Sequence, residues 1–199
     1  MTKKATGPLA GLRVLEVTQI MSGPTCGLLL ADMGADVIKV ERFPGGDDAR
    51  GYQRPGDLGL SPAFGMINRG KRSVALDIRT PEGREALLRL VAQVDVVTEN
   101  FRVGTMERLG LGQEVLMQAN PRLIYAAVSG YGRTGPLAQQ GGFDLILQAF
   151  SGLISVTGEE GRAGVKPGIS VADVNAGILA ALGVLAAYIR RHGLYPSGV

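Results

Sequence analysis

The chain has 199 residues, 45% of them hydrophobic, enough to bury the core of one ordinary domain or of one domain with part of a second. Its 21 Lys and Arg against 18 Asp and Glu leave a formal charge of +3. The basic residues are scattered rather than gathered in blocks, which argues against a nucleic-acid partner and leaves room for a phosphorylated small molecule. A single Cys26 excludes an internal disulfide framework and fits a reducing, cytoplasmic compartment, and no metal-ligand cluster is visible.

In chain order, Met1-Thr2-Lys3-Lys4-Ala5 is basic with no apolar segment behind it, so residues 1 to 8 read as a flexible leader rather than a secretory signal. Residues 13 to 17 predict a strand, 23 to 34 a helix and 36 to 41 a second strand, which together make a βαβ unit and imply a parallel sheet. The Gly-, Pro- and Asp-rich stretch 43 to 57 predicts a long loop, and 72 to 77 a third strand. Thr80-Pro81-Glu82 marks a helix start, with threonine at the cap and proline in the first turn, and that helix should run to about Gln93. A strand at 95 to 98, a short helix at 112 to 119, a strand at 123 to 128 and a helix at 143 to 152 follow, then a helix from Ser170 to Arg191. Its apolar run, Ala176 to Ile189, is too short to span a bilayer and predicts a buried core helix, with no membrane partner; His192, at its end, suits the negative helix pole.

This alternation predicts an α/β fold with a doubly wound, mostly parallel sheet, whose ligands bind beyond the carboxyl ends of the strands. The first such loop, Thr18 to Pro24, lacks the G-x-G-x-x-G spacing of a dinucleotide site, so Glu41 makes a poor ribose-binding acid. The other loops carry cations: Arg42 after the second strand, Lys71 and Arg72 before the third, Asn100-Phe101-Arg102 after the fourth, and Arg133 within residues 130 to 136 after the fifth. Gathered on one rim they would bind phosphates, with Phe101 against an adenine or an apolar tail; singly, each is an ordinary solvated charge.

Asp173 opens an almost wholly apolar helix and admits two readings. Ser170 and Asp173 fit a capping box, in which the acid closes its own backbone turn. Alternatively, free amides and the positive helix pole keep the carboxylate ionised in partly dry surroundings, as a carboxylate nucleophile requires.

Several ordered blocks resemble the family III CoA-transferases of the CaiB/BaiF type. They are Gly23-Pro24, the stretch Leu30-Ala31-Asp32-Met33-Gly34-Ala35-Asp36 running on to Glu41, Asn68-Arg69-Gly70-Lys71-Arg72-Ser73, Thr98-Glu99-Asn100-Phe101-Arg102, Arg108-Leu109-Gly110, Ser129-Gly130-Tyr131-Gly132 and Ser151-Gly152. The resemblance covers residues 9 to about 191 and implies a Rossmann-like domain, residues 9 to 192, that binds coenzyme A at its strand ends. It implies Asp173 as the catalytic nucleophile, and Ile20, Met21, Ser22, Arg42, Lys71, Asn100, Phe101 and Arg108 as coenzyme A contacts. The substrates would be an acyl-CoA and a small carboxylic acid, with CoA passing through an aspartyl-CoA thioester and no metal taking part. Backbone amides at the start of the last helix would stabilise the oxyanions.

In the racemase branch of the family a histidine precedes the position of Asp144; here the run is Gly142-Phe143-Asp144, and a phenyl ring moves no proton, which favours transfer. Phe143 would wall the acyl pocket or pack in the core. Val103 stands where the family has proline. Family members are roughly twice as long, two-domain and interlocked as homodimers, so residues 193 to 199 read as an atypical tail of a truncated or frameshifted product. A non-catalytic, CoA-binding remnant is the alternative.

Overall fold

The computed structural model describes residues 6–52, 59 and 61–193. Five parallel strands, β1 (Arg13–Val17), β2 (Asp36–Arg42), β3 (Arg72–Leu76), β4 (Val96–Glu99) and β5 (Ile124–Ala127), form one sheet in the order β3-β2-β1-β4-β5. The central strands are apolar runs because both faces of the sheet are covered: Val14, Leu15, Val17, Val96 and Val97 are all buried. Chain order reverses between β1 and β4, so the loops leaving their carboxyl ends diverge and open a crevice there.

Helices α1 (Ser22–Asp32), α2 (Pro62–Asn68), α3 (Pro81–Val91), α4 (Thr105–Arg108), α5 (Gln113–Ala119), α6 (Asp144–Phe150) and α7 (Val171–Arg191) connect or follow the strands. One face of the sheet packs Leu15, Val17 and Val97 against Leu87 and Val91 of α3 and Leu116 of α5. The other packs Val14, Val37 and Val96 against Cys26 and Leu30 of α1 and Ala181 and Val184 of α7. Predicted boundaries agree to within one or two residues, and Thr80 caps α3 by accepting from Gly83 N at 3.1 Å. Two α-helices, and short 3-10 turns at Asp48–Gly51 and Ile154–Val156, were not predicted. In α2, Ser61 caps by accepting from Phe64 N and Pro62 opens the first turn; α4 is a single turn entered from Gly104 at φ 83. Of the predicted leader, residues 1–5 lie outside the described residues, while Thr6 and Gly7 lie against Met33 and Gly34. The predicted tail lies outside them from residue 194 on.

The apolar run of α7 is not the buried core helix its composition predicts. Only the side that carries Gly177, Ala181 and Val184 is covered, whereas Leu179 is 67% and Leu182 56% exposed. By length and composition the 21-residue helix could cross a membrane, yet its small-residue side lies against α1 and the sheet. At its far end Arg191 donates Nη2 to Asp95 Oδ1 at 2.8 Å and Nη1 to Arg122 O at 3.0 Å, while Asp95 Oδ2 accepts from Arg13 N at 2.9 Å. The Tyr188 and His192 rings pack together, 4.4 Å between centroids.

Gly177 sets how closely α7 approaches α1: a Cβ there would stand 2.5 Å from Ser22 O and 2.6 Å from Thr25 Cβ. Gly177→Ala must push the helices apart, at a cost of about 1 to 3 kcal/mol. A urea midpoint that matches the wild type would refute this close crossing.

Candidate active site

The loop between β1 and α1 is held in an uncommon shape from two sides. Asn100 Oδ1 accepts from Gln19 N at 2.9 Å, and its Nδ2 donates to Gln19 O at 2.8 Å and Ser22 Oγ at 3.2 Å. Ile20 then adopts φ 66, a left-handed conformation that costs a β-branched residue about 1 to 3 kcal/mol. Its amide donates to the Asp47 carboxylate at 3.1 Å, which helps to hold it there.

Asp47 belongs to a buried set of charges behind the loop. Lys39 Nζ lies 2.8 Å from Asp47 Oδ2 and 3.1 Å from Glu16 Oε1 and donates to Thr18 O at 2.9 Å. Glu16 Oε2 meets Lys71 Nζ at 2.8 Å. Two ammonium groups and two carboxylates thus neutralise one another below the sheet's carboxyl edge. Beside them Glu41 accepts from Arg50 Nε and Nη2 at 2.5 and 2.7 Å. Burial alone would raise the Glu41 pKa, but the bonds from Arg50 and Ser73 and the Asp47 amide hold it at about 2.

A cavity of about 330 Å³ opens in front of the loop, bounded by Gln19 to Ser22, Asn100 to Val103, residues 128–130 and 140–143, and Asp173. Glu99 shapes the turn at Asn100 to Arg102: buried at the end of β4, it accepts from Phe101 N at 2.8 Å, Tyr125 Oη at 3.1 Å and Arg133 Nη1 at 3.0 Å. Gly130 and Gly142 bring two loops together at the wall, since a Cβ on either would lie 2.7 Å from the other's Cα. Phe143 is 60% exposed and lines the cavity, so it is a wall and not a core residue.

The capping box predicted at the start of α7 does not form. Ser170 makes no side-chain cap, and the acceptor is instead Asp144 of α6, whose Oδ1 receives Ala172 N at 2.8 Å and Asp173 N at 3.2 Å. Val171 N donates to Ile169 O and Val174 N to Ser170 O, so the first-turn amides of α7 are engaged and do not supply the predicted oxyanion donors. Among the described residues the Asp173 carboxylate accepts no hydrogen bond, and it lines the cavity. Burial, and then the neighbouring negative charge of Asp144, push its pKa up to about 6. The first turn of α1 has no side-chain cap, Thr25 N donates to Met21 O at 2.9 Å, and both Met21 and Ser22 line the cavity.

Phe101 also lines a second cavity, of about 240 Å³, whose floor is Val17, Val40, Leu76 and Ile78 and whose rim carries Arg42 and Arg79. Arg42 pairs with Asp48 at 2.7 Å and Arg79 with Asp77 at 2.8 Å. Arg79 follows β3 at its carboxyl end, where the strand-end rule places ligands.

Of the residues proposed for coenzyme A, the structure brings Ile20, Met21, Ser22, Asn100 and Phe101 into the cavity of Asp173, and Arg42 into the adjoining one. Lys71 lies elsewhere. It enters β3 at the amino end, so the rule that gathers ligands at carboxyl ends does not apply to it. Its ammonium is buried on Glu16, Pro24 O and Asn68 Oδ1, and it lines neither cavity. Arg72, beside it, pairs with Asp36 at the start of β2. Arg108 lines neither cavity and donates to Thr105 Oγ1 within α4.

Comparison with known proteins adds the following. The family model for CoA-transferase family III matches residues 9–194. The chain is 48% identical over 193 residues to a succinyl-CoA:mesaconate CoA-transferase of Haloarcula hispanica, covering 93% of this chain and 48% of that one. It is 44% identical over 188 residues to a succinate–glutarate CoA-transferase of Agrobacterium fabrum, covering 92% and 47%. The crystal structure of a CAIB/BAIF family protein from Brucella suis superposes with a TM-score of 0.90 at 43% identity, covering 94% of this chain and 50% of that one. The chain thus spans about half the length of these relatives.

Proposed function

The chain belongs to CoA-transferase family III, and from that premise we propose that it handles acyl-CoA at the two adjoining cavities, with Asp173 as the nucleophile that moves CoA between two carboxylic acids. The observation that carries this reading is a carboxylate with no hydrogen bond of its own among the described residues, lining a cavity that shares Gln19 and Phe101 with a second one that has a basic rim. The Arg42 and Arg79 rim takes the phosphates of the coenzyme, the apolar floor beside it takes the adenine, and the pantetheine arm passes Phe101 toward Asp173.

The chemistry balances as follows. An Asp173 carboxylate oxygen attacks the thioester carbon, the C–S bond breaks, and CoA leaves as a thiolate, giving an acyl-aspartyl anhydride. The thiolate attacks the Asp173 carbonyl of that anhydride, releasing the first acid and forming aspartyl-CoA. The acceptor carboxylate attacks this thioester and expels the thiolate, which then takes the acceptor's acyl carbon and frees Asp173. The amides of Met21 and Ser22, two residues that line the cavity, stabilise the developing oxyanions in place of those of α7.

Mass spectrometry tests the reading directly. Incubation with succinyl-CoA should add an acyl or CoA mass to Asp173, and the adduct should be lost on adding an acceptor acid. Calorimetric binding of CoA with no adduct at any pH from 6 to 8 would instead support a non-catalytic CoA binder. The racemase alternative finds no support at Asp173: Phe143 occupies the neighbouring wall, and the one histidine, His192, stands at the other end of α7.

Arg102 lines the same cavity as Asp173 and, among the described residues, makes no ion pair. By analogy with relatives named for succinate, glutarate and mesaconate, the acceptor is a dicarboxylic acid whose second carboxylate Arg102 receives. Arg102→Ala should raise KM for such acceptors about 10- to 100-fold, the worth of one charge-assisted pair, and leave monocarboxylic acceptors unaffected. Equal changes for both acceptor classes would count against this role.

A further inference from the structure

We infer that Asp144 is a positioning residue: by taking the first-turn amides of α7 it keeps the Asp173 carboxylate from capping its own helix and leaves it bare in the cavity. The inference rests on the proposed role of Asp173 and adds a residue whose own side chain need touch no substrate.

A lone aspartate at the third position of a helix ordinarily folds back on the free amides, and each such bond makes the carboxylate less basic and less nucleophilic. Here those amides are already taken. Asp144 Oδ1 bridges Ala172 N and Asp173 N, while its Oδ2 accepts from Gln148 Nε2, the same nitrogen that donates to Ile169 O at 3.3 Å. Gln148 is only 1% exposed, so the Asp144 carboxylate is itself held from below by a buried amide. The helix start and the segment before α7 are thereby tied to α6 through two side chains, Asp144 and Gln148.

The arrangement is also electrostatic. The positive pole of α7 is met by Asp144, and Asp173 is left with a like charge close by, which makes it hold its proton more tightly. The other ionisable groups on the packed elements lie further off or are committed. Arg102 lines the same cavity as Asp173; Cys26 of α1 is buried beside Glu16; Asp32, at the end of α1, pairs with Arg69; and Tyr125 of β5 is bound to Glu99. Asp144 is therefore the group whose removal should shift the behaviour of Asp173 most.

Two variants separate position from charge. Asp144→Asn keeps a carbonyl oxygen for both amides and removes the charge; Asp144→Ala removes both. The readouts are a carbon-13 titration of the Asp173 carboxyl, assigned by its loss in Asp173→Asn, and the pH dependence of adduct formation with succinyl-CoA. The wild type should titrate at about 6. In Asp144→Asn the midpoint and the acidic limb of adduct formation should both move down by about one pH unit, with the adduct still forming. In Asp144→Ala, Asp173 swings onto the vacated amides, so its midpoint should fall further and adduct formation should drop about 100-fold. A wild-type midpoint in Asp144→Asn, or wild-type adduct formation in a folded Asp144→Ala, overturns the inference. If the midpoint shifts but the wild type forms no adduct, the proposed function is at fault, and a role for Asp144 in positioning a nucleophile falls with it.

Discussion

Asp173→Asn should abolish CoA transfer and, at neutral pH, make the protein harder to melt. The loss of activity should be about 10⁴-fold or more, because the variant cannot form the proposed anhydride, which would split the reaction into easier steps. The gain in stability follows from linkage. An aspartate in the unfolded chain releases its proton near 3.8, whereas Asp173 in the folded protein keeps it until about 6. Between those values the folded state binds more protons than the unfolded one, so stability falls as pH rises through the window and stays lowered above it. Asparagine carries no charge to desolvate and escapes the loss. Thermal unfolding at pH 7.5 should give the variant the higher Tm, while near pH 3 the two proteins should melt together. A variant less stable than the wild type at pH 7.5 would mean that the Asp173 carboxylate is stabilised by its surroundings and not merely tolerated.

Glu16→Gln should be among the most destabilising single substitutions in the chain. Glu16 is fully buried between Lys39, 1% exposed, and Lys71, 2% exposed, with Asp47 closing the set on the far side of Lys39. An amide in its place leaves two buried ammonium groups facing one carboxylate, a loss of about 3 to 5 kcal/mol against a total stability of about 5 to 15 kcal/mol. The damage should extend to the cavity, because Lys39 also fixes Asp47, and Asp47 holds the amide of Ile20. Urea unfolding would measure it; a loss below about 1 kcal/mol, the range of a surface ion pair, would mean that these charges are hydrated in solution.

The sheet was legible in the sequence because strands covered on both faces leave unbroken apolar runs, and Thr80-Pro81 announces α3 unambiguously. The site was legible only in part. Spacing places Asp173 at the start of α7, but its capping partner is 29 residues away, and local sequence offers Ser170 instead. Lys71 sits beside a strand, yet which end of β3 it occupies depends on strand direction, and burial on Glu16 depends on a residue 55 positions earlier. Arg79 follows the same β3 at its carboxyl end and lines the second cavity. For Asp173 and Lys71 the missing information was a long-range pairing.

The two ends of α7 are fastened to different parts of the molecule: Arg191 to Asp95 and Arg122, the opening turn to Asp144. Over a helix of 21 residues, about 30 Å long, each residue advances the azimuth by about 100°. The bearing of the Asp173 carboxylate is therefore reckoned from an anchor at the opposite edge of the sheet. Adding or deleting a single residue between the two would swing it away from the cavity without altering any group that lines it.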